Sequence, residues 1–495
     1  MMTTPETTTA TRTNRLDPAV LALAWVLIAG MMAPLLDSTI VNVAFRTLGR
    51  DLHAPLATVQ WVSTGYLLAL AMAVPIAAWS VRRFGAKTMW ITALVLFLLG
   101  SISSGAAWNI QSLIGFRVLQ GAGAGLMMPI LQTLLFQAAG RERIGRLMAL
   151  ITLPALVGPI LGPTLGGLIA DNLGWRWLFY VNVPVCALAI TMAVRKLPDS
   201  ERQPRSRLDL TGLLLVSPGL AALVYGLSEV GTTGGFGHLS VLLPITIGVA
   251  LLAVFTGYAL SRRQAEPIID LRLFGIRSFS ASMALLFLTG FMTFGSMLLL
   301  PLFYQGLRGA TALTAGLMLA PQGIGSLIAR GAGSLTDRIG PRPVILAGIG
   351  STVLGTLPFV VADRHTNAVL LGTALVVRGI GLSAVNIAVM VGANRDLRPD
   401  QIPHASSTTR IAQQVGGAFG AAVLAVVLQH LLGDPTVGIA AAYGHTFAWS
   451  AALTAVGILP ALLLPGRSRG VGSSAVPHHR PVPLTTHGDK PPAPN

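Results

Sequence analysis

The chain has 495 residues, of which 53% are hydrophobic and only 11% are charged. Soluble domains carry about 25% charged residues, so this composition excludes a soluble protein and predicts one that is integral to a membrane. The formal net charge of +16 at pH 7 does not indicate a nucleic-acid partner, because the basic residues lie in short segments between apolar runs, and none of these segments could form a nucleic-acid-binding module.

The apolar runs predict an all-α integral membrane fold with fourteen transmembrane helices. A spanning helix needs roughly 20 apolar residues, whereas barrel strands would alternate polar and apolar residues over about ten positions. The fourteen runs lie near residues 19–44, 56–80, 88–107, 110–137, 145–170, 175–194, 208–229, 239–260, 278–302, 312–334, 343–362, 366–391, 408–431 and 443–464.

Lys and Arg concentrate in alternate segments between the runs, which predicts both termini in the cytoplasm. The excess of Arg over Lys is typical of a GC-rich bacterial genome. Two basic segments flank the seventh and eighth runs, so six runs precede this pair and six follow it. We expect a cytoplasmic tail over 1–18, a six-helix bundle over 19–194, basic loops with two inserted helices over 195–277, a second six-helix bundle over 278–464, and a disordered cytoplasmic tail over 465–495.

The first apolar run contains Asp37, the only carboxylate well inside the first six spans. An ionised carboxylate is costly in a membrane, so such a group can exchange protons near neutral pH. Asp37 is therefore a candidate proton or cation site. The alternative is a structural acid that caps a helix broken at Pro34 or accepts a hydrogen bond from a neighbour. Tyr66, in the second run, is a candidate cavity residue, with core packing as its alternative.

Arg117 is the second costly residue, about one third of the way along the fourth run, and Gln120 follows one turn later. A guanidinium at this depth must face a cavity or a partner rather than lipid. Arg117 is thus a candidate for proton coupling and Gln120 for the cavity wall. An interhelical clamp on backbone carbonyls is the alternative for Arg117.

The fifth run contains glycines spaced four residues apart, which form one flat stripe on a helix. Two prolines within the same turns should bend that helix. A bent helix with a glycine face suits a packing seam that moves. The residues that define this segment are Gly158, Gly162, Pro163, Gly166 and Gly167.

Residues 333–342 repeat features of residues 78–87, and each segment follows the second run of its bundle. Gly340 aligns with Gly85. We expect an inner loop in which an acid and basic neighbours form a charge latch between helices, with a solvated turn as the alternative. The first copy has Arg82 where the second has the acid, which weakens the case for a latch there. The predicted latch residues are Gly333, Asp337, Arg338, Gly340 and Arg342.

Three further polar residues in later runs are candidates for a cavity. Glu229 closes the seventh run, Arg378 lies in the twelfth and Gln413 in the thirteenth. Packing or interfacial roles are equally compatible with their positions. The thirteenth run has no carboxylate.

Several of these segments together resemble the Major Facilitator Superfamily and, within it, the fourteen-helix drug:proton antiporter branch. Residues 333–342 resemble the family's loop motif G-x-L-x-D-R-x-G-x-R, and residues 158–167 resemble its antiporter motif G-x-x-x-G-P-x-x-G-G. Residues 36–44, 117–123 and 174–184 resemble its first-helix motif, its fourth-helix motif and its entry to helix six. The resemblance implies two six-helix bundles with two extra helices between them, and a role for Arg117 in proton translocation. Some antiporters that this chain resembles hold divalent cations with acids in late helices, so the lack of a carboxylate in the thirteenth run favours neutral, monocationic or larger amphipathic substrates.

We therefore expect a proton-coupled efflux antiporter for amphipathic drugs or antibiotics, working by alternating access in a bacterial cell membrane. We expect the proton gradient as energy source, no cofactor or metal, and a monomer in the lipid bilayer. The alternative is a proton-coupled symporter or facilitator of a small metabolite. A membrane enzyme is disfavoured, because no paired intramembrane acids or metal-spaced histidines occur.

Overall fold

The computed structural model describes residues 18–139, 165–166, 168–169, 172–199, 208–233, 235–261, 268–398 and 401–464, and within these ranges it contains helices and no β-strand. Both predicted tails lie outside the described residues apart from Pro18. The helices are α1 (Pro18–Ile40), α2 (Phe45–Asp51), α3 (Leu56–Ala73), α4 (Ile76–Phe84), α5 (Ala86–Gly105), α6 (Ile110–Ala139), α7 (Trp177–Tyr180), α8 (Asn182–Lys196), α9 (Leu210–Thr233), α10 (Leu239–Ser261), α11 (Arg277–Leu302), α12 (Ala312–Met318), α13 (Ala320–Ile328), α14 (Gly331–Ile339), α15 (Pro341–Val360), α16 (Ala368–Asn394), α17 (Ile402–Gly433), α18 (Ile439–Val456) and α19 (Ile458–Leu462). A 3₁₀ segment, Val41–Ala44, continues α1, another, Leu271–Gly275, precedes α11, and a π-helical turn, Phe303–Leu307, follows it.

The described residues contain 11 helices that are long and apolar enough to cross a membrane, or 12 if α3 and α4 form one span bent by 57°. The protein is thus an all-helical, multi-pass membrane protein. Of the fourteen predicted spans, the fifth lies almost wholly outside the described residues, and the tenth is not one continuous helix. The total of fourteen therefore stays a prediction.

The tenth run, 312–334, breaks into α12, α13 and the start of α14 instead of forming a single helix. Pro321 lies at the start of α13, where its ring cannot continue the hydrogen bonding of the preceding turn. The segment 333–342, expected as a loop, is also mainly helical. Its helix continues to Ile339, because no residue that ends a helix precedes Gly340.

The two halves share one helix junction. Gly85 ends α4 and Gly340 ends α14, and their φ angles are 87° and 88°. Only glycine adopts this left-handed region without steric cost, so each glycine can turn the chain directly into the next long helix. The repeat seen in the sequence is thus a repeat of backbone geometry, and it pairs α5 with α15.

Buried apolar side chains join the two halves at one end of the bundle. We call this end, where the described chain begins and finishes, the termini side, and the opposite end the far side. The largest buried cluster draws on both halves at the termini side, with Leu27 and Leu131 from the first half and Phe279 and Val389 from the second. The clusters at the far side each belong to one half. The halves are therefore packed together at the termini side.

The inserted helices α9 and α10 differ in their contacts. Helix α9 packs against α3 of the first half and α17 of the second. The Ser217 hydroxyl donates to the Met72 carbonyl at 2.8 Å, and Tyr225 stacks on Trp61 with ring centroids 5.5 Å apart. Helix α10 packs mainly on α9, and most of its apolar surface is exposed, as expected of a helix that faces lipid.

Candidate functional site

A buried ion pair lies at the centre of the first half. The Arg117 Nη1 atom donates to Asp37 Oδ2 at 2.5 Å, and the side chains are 1% and 0% exposed. Asp37 lies in the last turn of α1, and Arg117 lies two turns into α6. The structure thus brings together the two charged groups that the sequence singled out in the first six spans.

Neutral polar side chains complete the site around Asp37. Gln120 Nε2 donates to Asp37 Oδ1 at 3.0 Å, and its Oε1 accepts from Arg117 Nη1 at 2.7 Å. Asn182 Nδ2 donates to Asp37 Oδ1 at 3.2 Å and contacts the Ser101 hydroxyl at 3.0 Å. The Ser101 hydroxyl in turn donates to the Phe179 carbonyl at 2.8 Å. One carboxylate thereby links α1, α6 and α8, and α5 through Ser101.

Arg117 is held on two further sides. Its Nε donates to the Val62 carbonyl of α3 at 3.2 Å, and its guanidinium lies 4.2 Å from the centre of the Tyr66 ring. A guanidinium over an aromatic face gains electrostatic attraction, which is stronger where water is excluded. Tyr66, a predicted cavity residue, is therefore part of this site and is 2% exposed.

Glycines of α6 bring the neighbouring helices to this distance. A Cβ atom at Gly121 would overlap the Tyr66 carbonyl, and one at Gly123 would meet the backbone of Phe97. A Cβ at Gly100 of α5 would overlap the backbone of Gln120. The absence of these side chains lets α3, α5 and α6 approach closely enough for their polar groups to meet.

The second half contains a related polar cluster around Arg378, which is 3% exposed. Its Nε donates to Thr356 Oγ1 at 3.2 Å, its Nη1 donates to Gln322 Oε1 at 3.0 Å, and its Nη2 donates to the Ser296 hydroxyl. These partners come from α15, α13 and α11. In contrast to Arg117, all of them are neutral.

The remaining predicted cavity residues lie on α9 and α17. Glu229 belongs to α9, one turn beyond Tyr225. Gln413 is buried on α17, and its Oε1 accepts from Arg410 Nη1 at 3.3 Å. The Asp37 and Gln413 sites therefore belong to different halves.

The predicted latch residues lie on the termini side. Gly333, Asp337 and Arg338 belong to α14, and Arg342 belongs to the first turn of α15. Gly340, between these helices, is buried. The segment joins the two helices through a single residue.

The predicted antiporter motif lies mostly outside the described residues. Gly158, Gly162, Pro163 and Gly167 belong to that part of the chain. Gly166 is described, and a Cβ atom there would meet the backbone of Ile40, three residues beyond Asp37. This glycine packs against the end of α1 on which the ion pair lies.

Sequence reasoning missed several residues of these clusters. Asn182, Ser101 and Gln322 were not chosen as site residues, because neutral polar side chains in an apolar run carry no large desolvation cost that would single them out. The available signal was position, since Asn182 begins α8 directly after an aromatic turn. Within the described ranges, no group of three or more His, Cys, Asp or Glu residues could hold a metal ion.

Comparison with known proteins gives relatives along most of the chain. It is 37% identical over 420 residues to a multidrug resistance protein B homolog of Mycobacterium tuberculosis, which covers 84% of this chain and 78% of the relative. It is 26% identical over 476 residues to the lincomycin resistance protein LmrB of Bacillus subtilis, which covers 92% of this chain and 98% of the relative. The names of both relatives describe resistance proteins.

Solved structures agree with this fold. A double tryptophan mutant of XylE aligns with a TM-score of 0.64 over 91% of this chain and 97% of the other, at 14% identity. At that identity the likeness shows the fold alone. The family model described as Major Facilitator Superfamily matches residues 26–421, which is most of the chain. The chain therefore belongs to the Major Facilitator Superfamily of membrane transporters.

Proposed function

We propose that this protein is a proton-coupled exporter of amphipathic small molecules in a bacterial cell membrane, with Asp37 as the group that binds and releases the proton. The observation that carries the proposal is the fully buried Asp37–Arg117 pair, held by donors from several helices. A transporter that uses protons needs an ionisable group whose charge state changes the packing of its helices. Asp37 is ionisable and its hydrogen bonds join three helices, which supports its assignment to this role.

The network suggests how protonation acts on the helices. Ionised Asp37 accepts hydrogen bonds from Arg117, Gln120 and Asn182, and so ties α1 to α6 and α8. A proton on the carboxylate removes the counterion of Arg117 and turns an acceptor into a donor. The hydrogen bonds must then rearrange. In this proposal, that rearrangement lets the first half tilt against the second.

The core packing supports alternating access between two states. Among the described residues, the apolar core that draws on both halves lies at the termini side. If the basic loops place that side in the cytoplasm, as the positive-inside rule predicts, this conformation is closed to the cytoplasm. A second conformation would separate this core. Each proton that moves down 100 mV releases about 2.3 kcal/mol, which can drive such a cycle.

Two other sequence features fit this cycle as parts of the proposal. Gly166, in the predicted antiporter motif, packs against the end of α1 near Asp37, so movement of that helix would reach the ion pair directly. Asp337 and Arg338 lie at the termini side, where a latch between helices would favour the closed state. Export rather than import is supported by the names of the two relatives, which describe a multidrug resistance protein and a lincomycin resistance protein.

Replacing Asp37 by Asn tests the proposal, because Asn keeps the shape of the side chain but cannot exchange a proton. In everted membrane vesicles with an imposed proton gradient, an exported drug should dissipate the gradient for the wild type. For Asp37→Asn we expect this signal to fall to background, while the purified variant still elutes as a folded protein. Asp363→Asn is the matched control, since it neutralises an exposed acid of the loop before α16 by the same substitution, and it should retain the signal.

Full drug-dependent proton movement in Asp37→Asn would remove Asp37 from the coupling mechanism. A drug that enters wild-type cells together with protons, rather than leaving in exchange for them, would contradict export and favour the symporter alternative. If the transport rate does not depend on the proton gradient in either the wild type or Asp37→Asn, proton coupling as a whole is contradicted.

A further inference from the structure

The second half repeats the polar site of the first half without its acid. The Gly85 and Gly340 junctions pair α5 with α15, which sets Ser101 against Thr356. Gly100 approaches the backbone of Gln120, and Gly355 approaches the backbone of Arg378 in the same way. Gln120 therefore corresponds to Arg378. Asp37, the acceptor for Gln120, is matched in the second half by Ser296, the acceptor for Arg378 Nη2.

Because Ser296 stands in the second half where the first half has Asp37, the membrane interior has more positive than negative charges. Arg378 has only hydroxyl and amide partners, whereas Arg117 has a carboxylate. A third guanidinium, Arg410, lies on α17. The sequence offers no acid to compensate Arg378 or Arg410, since Asp37 is the only carboxylate within the spans away from their ends. An unpaired charge inside a membrane protein is costly, so it is expected to serve a ligand or a partner.

Arg410 is the guanidinium that is placed to receive a ligand. It is partly exposed, and its bond in the described part of the chain joins Nη1 to Gln413 Oε1 at 3.3 Å. The Nε–Nη2 edge makes no hydrogen bond to a described residue. That edge is a fork of two parallel donors and matches the two oxygens of a carboxylate.

The surroundings of Arg410 also favour an oxyanion. Ser406 and Ser407 lie one turn earlier on α17, are 1% and 0% exposed, and have hydroxyls with no hydrogen-bond partner among the described residues. Residues three and four apart share a helix face, so these donors lie on the side of Arg410. Helix α17, which carries Arg410, packs against α4 and α6 of the first half as well as against α9 and α11. Arg410 therefore lies on a helix at the boundary between the two halves, near Tyr66 of the first half.

We propose that Arg410 binds an anionic group of the transported compound, so that the protein selects amphipathic molecules with a carboxylate or a similar oxyanion. This inference rests on the proposed function, that the protein exports small molecules, and it narrows their class. It differs from the sequence-based expectation of neutral or monocationic substrates. Proton and anion then bind in different halves, Asp37 in the first and Arg410 in the second.

The test compares two probes that differ only in charge, 1-pyrenebutanoate and its neutral amide. Binding to the full chain in lipid nanodiscs is measured by equilibrium dialysis, with empty nanodiscs subtracted. We expect the wild type to bind the carboxylate at least about tenfold more tightly than the amide, since a charge-assisted hydrogen bond contributes that much. Equal binding of the two probes by the wild type would overturn the inference without the need for any variant.

Variants assign the preference to Arg410. Arg410→Gln should abolish it, and Arg410→Lys, which keeps the charge but not the fork, should retain part of it. Arg364→Gln removes an exposed guanidinium from the loop before α16 and is the matched control, with the preference unchanged. A full preference in Arg410→Gln would overturn the inference. If that variant fails to fold, Arg410→Lys decides, because its carboxylate affinity must fall below that of the wild type.

Transport assays separate this inference from the proposed function. If everted vesicles export no compound while the Arg410-dependent preference persists, the exporter proposal is wrong and the anion site stands. If they export neutral drugs and the dialysis shows no preference for the carboxylate, the anion site is wrong and the exporter proposal stands.

Discussion

At the scale of single residues, the ion pair between Asp37 and Arg117 is the feature on which the first half depends. Both groups are almost fully buried. Asp37 also accepts hydrogen bonds from Gln120 and Asn182, and Arg117 also donates to Gln120 and to the Val62 carbonyl. A buried pair of this kind contributes little compared with an apolar replacement of equal volume, but removal of one member leaves the other uncompensated. The pair therefore suits a site that changes its charge state during a cycle.

Because removal of one charge is more costly than removal of both, single and double variants of the pair should differ in stability. Arg117→Gln leaves an unpaired carboxylate and should lower the free energy of unfolding by about 3–5 kcal/mol. The double variant Asp37→Asn/Arg117→Gln removes both charges and should lose less than Arg117→Gln alone. Unfolding of the purified full chain in one detergent, followed by circular dichroism, measures both. A double variant less stable than Arg117→Gln would contradict the assignment of the pair.

The same residues show how much of the site the sequence predicts. Asp37 and Arg117 stand out in the sequence, because a charge in an apolar run is costly wherever the run lies. Their pairing does not, since they are 80 positions apart and several orientations of α1 and α6 fit the same pattern. Asn182 and Ser101 are neutral, and they can be assigned to the site only because the fold places them next to each other and near Asp37.

At the scale of helices, glycines decide how closely α3, α5 and α6 pack. Gly121 meets the backbone of Tyr66, and Gly125 meets the Leu70 carbonyl. Without a hydrophobic driving force between helices in lipid, close backbone contact supplies much of the association energy. The polar site depends on this contact, because Tyr66 and Val62 reach Arg117 from α3.

Two glycines of α6 give a matched test of this role. Gly121→Ala places a methyl group against the Tyr66 carbonyl and should cost about 1–3 kcal/mol of stability. Gly115→Ala, six residues earlier, meets open space and should be neutral or gain up to about 1 kcal/mol from helix propensity. Thermal unfolding of the purified proteins compares them. Equal unfolding temperatures for the two variants would contradict this prediction, because they would show that α3 and α6 can move apart at Gly121 without loss of stability.

At the scale of the whole molecule, the apolar core shared by the two halves lies at the termini side of the described chain. Gln132 of α6 and Met390 of α16 meet across the halves, with Nε2 3.9 Å from Sδ. Helix α9 spans the same boundary through its contacts with α3 and α17. A transport cycle that opens this side must separate Gln132 from Met390. Helix α9 must then move with one half and slide against the other.

A pair of cysteines at Gln132 and Met390 tests whether this contact opens during transport. The chain has a single cysteine, Cys186, so a Cys186→Ala background leaves only the new thiols. A short, reducible thiol crosslinker should join them, stop export and allow export to resume after reduction. Each single cysteine variant is the control and should be insensitive to the reagent. Unchanged export after complete crosslinking would contradict alternating access at this boundary.

The sequence by itself determined the class of protein, most of the spanning helices and the costly charges. Apolar run length, glycine at the repeated junction and charge in a membrane are local properties that act the same way in any arrangement. Only the tertiary structure decided that Asp37 pairs with Arg117, and that Arg378 and Arg410 have no acidic partner in the described chain. It also decided that the tenth run breaks and at which side the apolar core shared by the halves lies. These outcomes depend on which helix faces are apposed, and periodicity along one chain segment does not specify the neighbour that a face will find.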